Sequence, residues 1–228
     1  MKWCVLVLVF VGLTRGDNGI GANTVFKCPD LNAQDEIDLE KIMGKWYVVE
    51  ILEHRLDPKK PTTGSYIVDT CPIVTLKPTS DNASLKLLWN EEAGNLEYSF
   101  RIPDIIRRKG FWQVMSAQNG TLTEKQYKQF TGNVHVMKAV ASDMVLTFCS
   151  RYPDSQLYSL LLSREHILQQ SDKRGVHNLL GRRNLKSVSI RETCVNGSAG
   201  SRRGALDLVT WATLVGLLSS SFLFRSWQ

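Results

Sequence analysis

The chain has 228 residues, of which 28 are basic and 22 acidic, and its formal net charge is +6 at pH 7. Much of the excess lies in the two terminal segments, and the part between them has 23 basic and 21 acidic residues. So small an excess excludes a strongly basic surface for nucleic acid. The densest basic cluster, Arg107-Arg108-Lys109, is expected to be a solvated loop, with phosphate or lipid headgroups as the alternative.

The chain begins with the pattern of a secretory signal peptide. Met1-Lys2 precedes an apolar run over residues 3–13, and small residues follow. The predicted signal peptide covers residues 1–16, with cleavage as late as residue 22. Its apolar run is too short to span a bilayer comfortably. We therefore expect residues 28–194 to fold as one domain in the secretory pathway.

A second apolar run covers residues 208–224, after small and polar residues at 195–207. Small residues, a polar spacer and a hydrophobic tail are the layout of a GPI-attachment signal. Asn196 or Ser198 is the predicted attachment residue. A retained single-pass anchor is the rival interpretation, although the run is short and lacks a strong basic stop. The predicted location is the extracellular face of the plasma membrane, with a lipid anchor.

Four cysteines remain once the signal peptide is removed, an even number that favours disulfides in an oxidising compartment. They are Cys28, Cys71, Cys149 and Cys194, and their spacing alone leaves three pairings open. None forms a C-x-x-C pair and no histidine is close in sequence, so we expect no zinc site. Sequons at Asn82, Asn119 and Asn196 support secretion, and the third overlaps the predicted anchor site.

The central part alternates between apolar and polar residues in short stretches separated by turns. The predicted strands cover residues 46–52, 66–77, 85–89, 96–102, 111–116, 133–140, 144–149 and 157–163. About eight strands at regular spacing predict a sandwich or an up-and-down barrel. Residues 172–183 then predict an amphipathic helix, with Val176, Leu179 and Leu180 on one face and Gly175 weakening it. An extended segment leads to Cys194.

The first strand follows a short helical turn. Leu39, Ile42 and Met43 share one face of that turn, and Gly44 allows the backbone to change direction. Trp46 comes directly after the corner, where its large ring suits the plug of a core. These features predict that the chain packs around the start of this strand.

Gly44-Lys45-Trp46 resembles the first signature of the lipocalins, small β-barrels that hold apolar ligands. Asp143 stands at the place of the family's T-D-Y turn and is the one close match to that triplet. The strand over residues 157–163 and Arg164 are similar to the third signature, whose arginine lies across the tryptophan and closes the barrel floor. The resemblance implies a cation–π contact of Arg164 with Trp46, worth about 0.5–2 kcal/mol. Without the resemblance, we would expect Arg164 to be a solvated residue at the end of an edge strand.

The fold implied by the resemblance is all-β: an eight-stranded antiparallel up-and-down barrel with one C-terminal helix packed outside. The cysteine spacing resembles the branch that contains apolipoprotein D and the insect protein Lazarillo. That likeness implies the pairs Cys28–Cys149 and Cys71–Cys194, which would tie both terminal segments to the barrel wall. A barrel of this kind that carries a lipid anchor also resembles Lazarillo.

An eight-stranded barrel has room for its own side chains or for one small ligand. Such a ligand would bind by burial of apolar surface, oriented by a few polar groups. The resemblance implies a fatty acid, retinoid, sterol or bilin. Strand alternation nominates candidates for the pocket, several of which are expected only to fill the floor: Leu87, Trp89, Tyr98, Phe100, His135, Met137, Met144, Leu146, Phe148, Tyr158, Leu160 and Leu162. In the strand over residues 133–140, Val134 and Val136 compete with His135 and Met137 for the inner face.

The sequence contains no G-x-S-x-G elbow, H-E-x-x-H pair, P-loop or complete G-x-G-x-x-G. Pairing of every mature cysteine would leave no reactive thiolate. We therefore expect a binding protein without cofactor, metal or catalytic residues. One hypothesis is a cell-surface carrier that sequesters a hydrophobic ligand. The other is an adhesion or receptor ectodomain with a protein partner, in the form of an immunoglobulin-like sandwich that a Cys71–Cys149 bridge would favour.

Overall fold

The computed structural model describes residues 28–56, 63–81, 83–124, 129–152 and 155–195. The predicted signal peptide, attachment residues and hydrophobic tail lie outside them. The elements of this part are α1 (Leu39–Ile42), β1 (Gly44–Glu53), β2 (Gly64–Ile67), β3 (Ile73–Pro78), β4 (Ser84–Glu91), β5 (Gly94–Arg101), β6 (Phe111–Val114), a 3-10 turn (Thr121–Glu124), β7 (Thr131–Ala139), β8 (Asp143–Tyr152), β9 (Leu157–Ser163), α2 (Gln170–Arg182) and β10 (Ser189–Glu192). Within the same residues, no helix has the length and apolarity needed to cross a membrane.

Eight strands form a closed antiparallel barrel. Their order around the wall is β1, β3, β4, β5, β6, β7, β8 and β9, and β9 pairs with β1 to close the circle. Neighbours along the chain are neighbours in the wall, which is the up-and-down arrangement. The predicted barrel is confirmed, and an open two-layer sandwich is wrong for this chain.

Two further strands extend the sheet beside β1. The first half of β1 pairs with β3 over residues 44–47, and its second half pairs with β10 over residues 50–53. Strand β2 then pairs with β10 in parallel. The extended segment predicted before Cys194 is thus a strand, and it supports β1 where β3 has turned away.

The structure has one cluster of apolar side chains inside the barrel and another outside it. The outer cluster lies between α2 and the wall formed by β1, β8 and β9. Helix α2 buries Val176 and Leu180 there, as the sequence predicts, while Leu179 is half-buried. Gly175 has no neighbouring atom within 4 Å of the place of a Cβ, so it faces open space and costs only helix propensity.

The two disulfides are Cys28–Cys149 and Cys71–Cys194, the pairs implied by the family resemblance. The first ties the segment before α1 to β8. The second ties the end of β10 to the segment before β3. A Cys71–Cys149 bridge is absent because both cysteines have other partners, so the immunoglobulin-like pairing is also wrong.

Candidate ligand-binding site

The start of β1 closes one end of the barrel, which we call the closed end. Asp38 begins α1 by accepting hydrogen bonds from the backbone N–H groups of Glu40 and Lys41. Gly44 has a φ of +91°, which favours glycine, and it turns the chain from α1 into β1. Trp46 is fully buried inside the barrel, and its Nε1 donates to the carbonyl of Ile42 at 2.8 Å.

Arg164 lies over this tryptophan. Its guanidinium carbon is 3.6 Å from the centre of the Trp46 ring. The same guanidinium donates hydrogen bonds to the carbonyls of Lys41 at 2.8 Å, Met43 at 2.9 Å and Lys45 at 2.6 Å. Arg164 therefore joins the end of β9 to α1 and β1, and the closed end is held by a cation–π contact and three charge-assisted hydrogen bonds.

The strand alternation places ten of the twelve pocket candidates in the interior cluster or against it. Eight of them are buried and fill the barrel: Leu87, Tyr98, Phe100, Met144, Leu146, Phe148, Leu160 and Leu162. Phe148 stacks on Tyr158 with ring centres 4.8 Å apart and meets Phe130 edge-on at 5.2 Å. The barrel below this aromatic group is a packed core rather than a hollow.

The opposite, open end has apolar side chains that are only half-buried. Trp89 near the end of β4, Tyr158 near the start of β9 and Ile51 near the end of β1 all pack against the interior cluster while retaining solvent exposure. Val114 and Leu122 lie in the same half-buried layer. These side chains form the mouth of the barrel, where a ligand would first meet apolar surface.

His135 and Met137 were wrong as pocket candidates, because β7 turns Val134 and Val136 inward. His135 lies on the outer face against Phe111, in the wall of an open groove of about 820 Å³ beside the Cys28–Cys149 bridge. Burial, reinforced by the charge of Arg108, lowers the pKa of His135 to about 4. Met137 sits in a β-bulge and joins the outer cluster beneath α2.

The interior residues that the sequence analysis missed include Ile51, Phe130 and Trp112. A bulge between Val48 and Glu50 changes the alternation of β1 and turns Ile51 inward. Phe130 precedes the predicted start of its strand, and Trp112 lies on one of the shortest strands, where alternation is hardest to judge. One feature of the sequence could have indicated the bulge in β1: Glu50 is a carboxylate within an apolar run, and regular alternation would place it inside the barrel.

The predicted glycosylation sites are only partly within the described residues. Asn119 is exposed, beside a turn in which Gly120 has a φ of +128°. Asn82 and Asn196 lie outside the described residues. Glycosylation at all three remains a prediction.

A buried charge cluster fastens α2 to the outside of the barrel. Glu50 is 1% exposed, and its carboxylate lies 2.7 Å from His177 Nε2 and 3.6 Å from Lys173 Nζ. Lys173 also lies 3.0 Å from Glu192 on β10. The hydrogen bond to Glu50 raises the pKa of His177 above its ordinary value. The bulge in β1 is what turns Glu50 outward, so the cluster depends on that irregularity.

We expect the free energy of unfolding to fall as the pH rises through the pKa of His177. The folded state binds this proton more tightly than the unfolded state, whose pKa is about 6.5. The stabilisation is therefore complete below that value and is lost above the folded-state pKa. The glutamine of His177→Gln can still donate a hydrogen bond to Glu50, but its side chain is uncharged and does not titrate in this pH range. Denaturant unfolding of both proteins across this pH range measures the effect.

The control for this experiment is the difference between the parent and His177→Gln. Burial lowers the pKa of His54 and of His135 to about 4. These two histidines therefore change the free energy of unfolding in the opposite direction, lowering it as the pH falls below about 6.5. Their contribution is the same in both proteins and cancels. A difference that does not vary with pH would contradict the assignment to His177.

The closed wall, the tryptophan–arginine floor and the outer helix define a lipocalin-like barrel. No protein-family model and no curated protein matches the chain. Among solved structures, the fold is similar to a biogenic amine-binding protein, determined as a selenomethionine derivative, with a TM-score of 0.52. The sequences are 13% identical, and the match covers 70% of this chain and 83% of the other. At that identity the likeness shows the fold alone.

Proposed function

We propose that this chain is an extracellular, surface-attached lipocalin that binds a small, mainly hydrophobic ligand at the open end of its barrel. The supporting observation is the half-buried apolar layer at the mouth, formed by Ile51, Trp89 and Tyr158 above a packed aromatic core. Apolar surface left partly exposed at the mouth of a barrel is available for a ligand to cover.

The packing at the mouth limits where the ligand would lie. Phe130 precedes β7 at the open end, and Phe148 on β8 pairs with Tyr158 on β9. Both phenylalanines are fully buried, and their rings contact Tyr158. A ligand would occupy the layer of Trp89 and Tyr158, because deeper entry would have to displace close-packed rings. Its binding energy would come mainly from apolar surface removed from water, at about 25 cal/mol per Å² before the cost of association.

The ligand classes in this proposal are fatty acids, retinoids, sterols and bilins. The similar solved structure is named for binding a biogenic amine, so a biogenic amine is a necessary comparison compound. Quenching of tryptophan fluorescence on titration with each class tests the proposal. Trp89 is the expected reporter, because Trp46 and Trp112 are fully buried. Saturable quenching by one class supports it, and specific cell binding without any quenching would favour the adhesion hypothesis instead.

The attachment to the cell surface is the second part of the proposal. The cysteine pairs match those of the apolipoprotein D and Lazarillo branch, which supports placing the chain there. The small residues, spacer and hydrophobic tail after residue 195 support a GPI anchor at Asn196 or Ser198. Release of the protein from cells by a phosphatidylinositol-specific phospholipase tests this part, and resistance to the enzyme would favour a retained membrane helix.

We expect Trp89→Ala to weaken ligand binding about tenfold, a loss of about 1.4 kcal/mol. The indole is the largest half-buried side chain in the mouth layer, and its removal takes away apolar contact area. Displacement of a fluorescent fatty acid measures the affinity independently of tryptophan emission. Leu88→Ala is the matched control, because Leu88 precedes Trp89 on β4 and faces the outside, where it lines a surface pocket. Equal effects of the two substitutions would contradict a site at the mouth.

A further inference from the structure

The loop between β5 and β6 holds an apolar side chain out in solvent. Asp104 accepts hydrogen bonds from the backbone N–H groups of Ile106 at 3.2 Å and Arg107 at 2.9 Å, and its carbonyl accepts from Arg108 N–H at 2.9 Å. These bonds fix one tight turn. Ile105 packs against the interior cluster, whereas Ile106 at the tip is 85% exposed. The turn therefore presents Ile106 in a defined position.

A neighbouring turn at the closed end also exposes an apolar side chain. The up-and-down order puts the β5–β6 loop and the β7–β8 turn at the same end of the barrel. Val140 in the β7–β8 turn is 46% exposed. A single exposed hydrophobic residue is ordinary, but Ile106 and Val140 lie on neighbouring segments of one end. Ile167 is 72% exposed but lies beside the outer cluster, because His166 packs on Tyr47 and Leu168 packs against that cluster.

Basic side chains accompany the tip of the loop. Arg107 and Arg108 are exposed, but the guanidinium of Arg108 lies over the Phe111 ring on the barrel wall, 4.8 Å from the ring centre. Lys109 is half-buried. The one carboxylate of the loop, Asp104, is turned toward backbone N–H groups of its own turn. The exposed acidic residues at this end are Asp35, Glu36, Asp38, Glu40, Asp81 and Glu165. The first two follow Gln34, whose carbonyl lies against Gly110 at the end of the loop. The basic, apolar part of the closed end is thus the tip of the β5–β6 loop, at Ile106 and Arg107.

The direction of the described chain end adds an independent observation. Strand β10 starts opposite Glu53 near the mouth and runs antiparallel to β1 to the level of Glu50. Thr193 then donates its side-chain hydroxyl to the carbonyl of Val48, nearer the closed end. The chain therefore heads from the mouth toward the closed end when it reaches Val195.

We propose that the closed end is a membrane-contacting surface, with Ile106 entering the interface of a lipid bilayer and Arg107 beside anionic headgroups. Apolar tips flanked by arginine and lysine are the chemistry that binds such an interface. In the anchored protein this orientation turns the mouth away from the membrane and toward the extracellular fluid. That consequence rests on the proposed function, whereas the surface itself rests on the residues of the loop.

Vesicle sedimentation of a chain that ends at Val195 tests the surface without any anchor. Residues 28–195 contain the complete barrel, both disulfides and both apolar clusters, so this chain retains the contacts that define the fold. We expect binding to vesicles of phosphatidylcholine with phosphatidylserine, and weaker binding at high salt. Ile106→Ser should lower the partition coefficient about fivefold, and Arg107→Gln about threefold.

Matched controls lie elsewhere on the surface. Ile67→Ser removes an isoleucine that is 62% exposed on β2, and Arg174→Gln removes an exposed arginine of α2. Both should leave vesicle binding unchanged. Equal losses for Ile106→Ser and Ile67→Ser would overturn the proposal. So would vesicle binding that a heparin fragment abolishes and that Ile106→Ser leaves unchanged, since that result indicates a polyanion surface. Fatty-acid binding by the same variants reports separately on the mouth.

Discussion

Replacing Trp46 by alanine should lower the free energy of unfolding by about 3–5 kcal/mol, the range for truncating a large buried aromatic side chain. The indole is fully buried, and its loss leaves a cavity at the closed end. It also removes the hydrogen bond to the carbonyl of Ile42 and the ring on which the Arg164 guanidinium lies. Denaturant unfolding followed by far-ultraviolet circular dichroism measures the change independently of tryptophan emission.

Two further variants separate the contributions at the closed end. Trp46→Phe keeps an aromatic ring and should lose less than the alanine variant. Arg164→Lys keeps the charge but cannot donate to three carbonyls in the same planar arrangement, so it should also be destabilising. If Trp46→Ala costs less than about 1.5 kcal/mol, a value typical of partly exposed positions, the tryptophan does not hold the barrel closed.

Strand alternation predicted which side chains of β4, β5, β8 and β9 face the barrel interior. It placed Leu87, Tyr98 and Phe100 correctly because β4 and β5 form a regular hairpin without a bulge, in which the period of two is kept. It failed on β7, where both faces are apolar. Val134 and Val136 face the interior, while Met137 is covered from outside by the cluster beneath α2. A strand buried on both faces carries no alternation from which its orientation could be predicted.

Other features depend on contacts between distant parts of the chain. The bulge in β1 places Glu50 under α2, opposite His177, and nothing local to residues 48–50 specifies that partner. Strands β2 and β10 have four residues each and exist as strands by pairing with each other and with β1. The pairing of Arg164 with Trp46 came from the family resemblance, because the two residues are 118 positions apart and no local pattern connects them.

Removing the Cys71–Cys194 bridge by a double substitution to alanine should lower the free energy of unfolding by about 2–4 kcal/mol. The two cysteines are separated by 123 residues, so in the chain-entropy account the bridge restricts a long loop of the unfolded chain. Its loss also has a local consequence. Cys194 follows β10, which pairs with β1 and carries Glu192 of the buried charge cluster. We therefore expect faster amide exchange in β10 and β2, measured by hydrogen–deuterium exchange.

The Cys28–Cys149 bridge is the matched control, because its cysteines are separated by a similar 121 residues. Its removal should cost about the same free energy in the chain-entropy account, about 2–4 kcal/mol. The amides that lose protection should be different. Cys28 holds the segment before α1 against β8, and that segment is otherwise held by bonds such as Gln34 N–H to the carbonyl of Val136 at 2.8 Å. Exchange should increase there and stay unchanged in β10. If both double variants opened the same amides, the bridges would act only through the unfolded chain, and neither would hold its own segment in place.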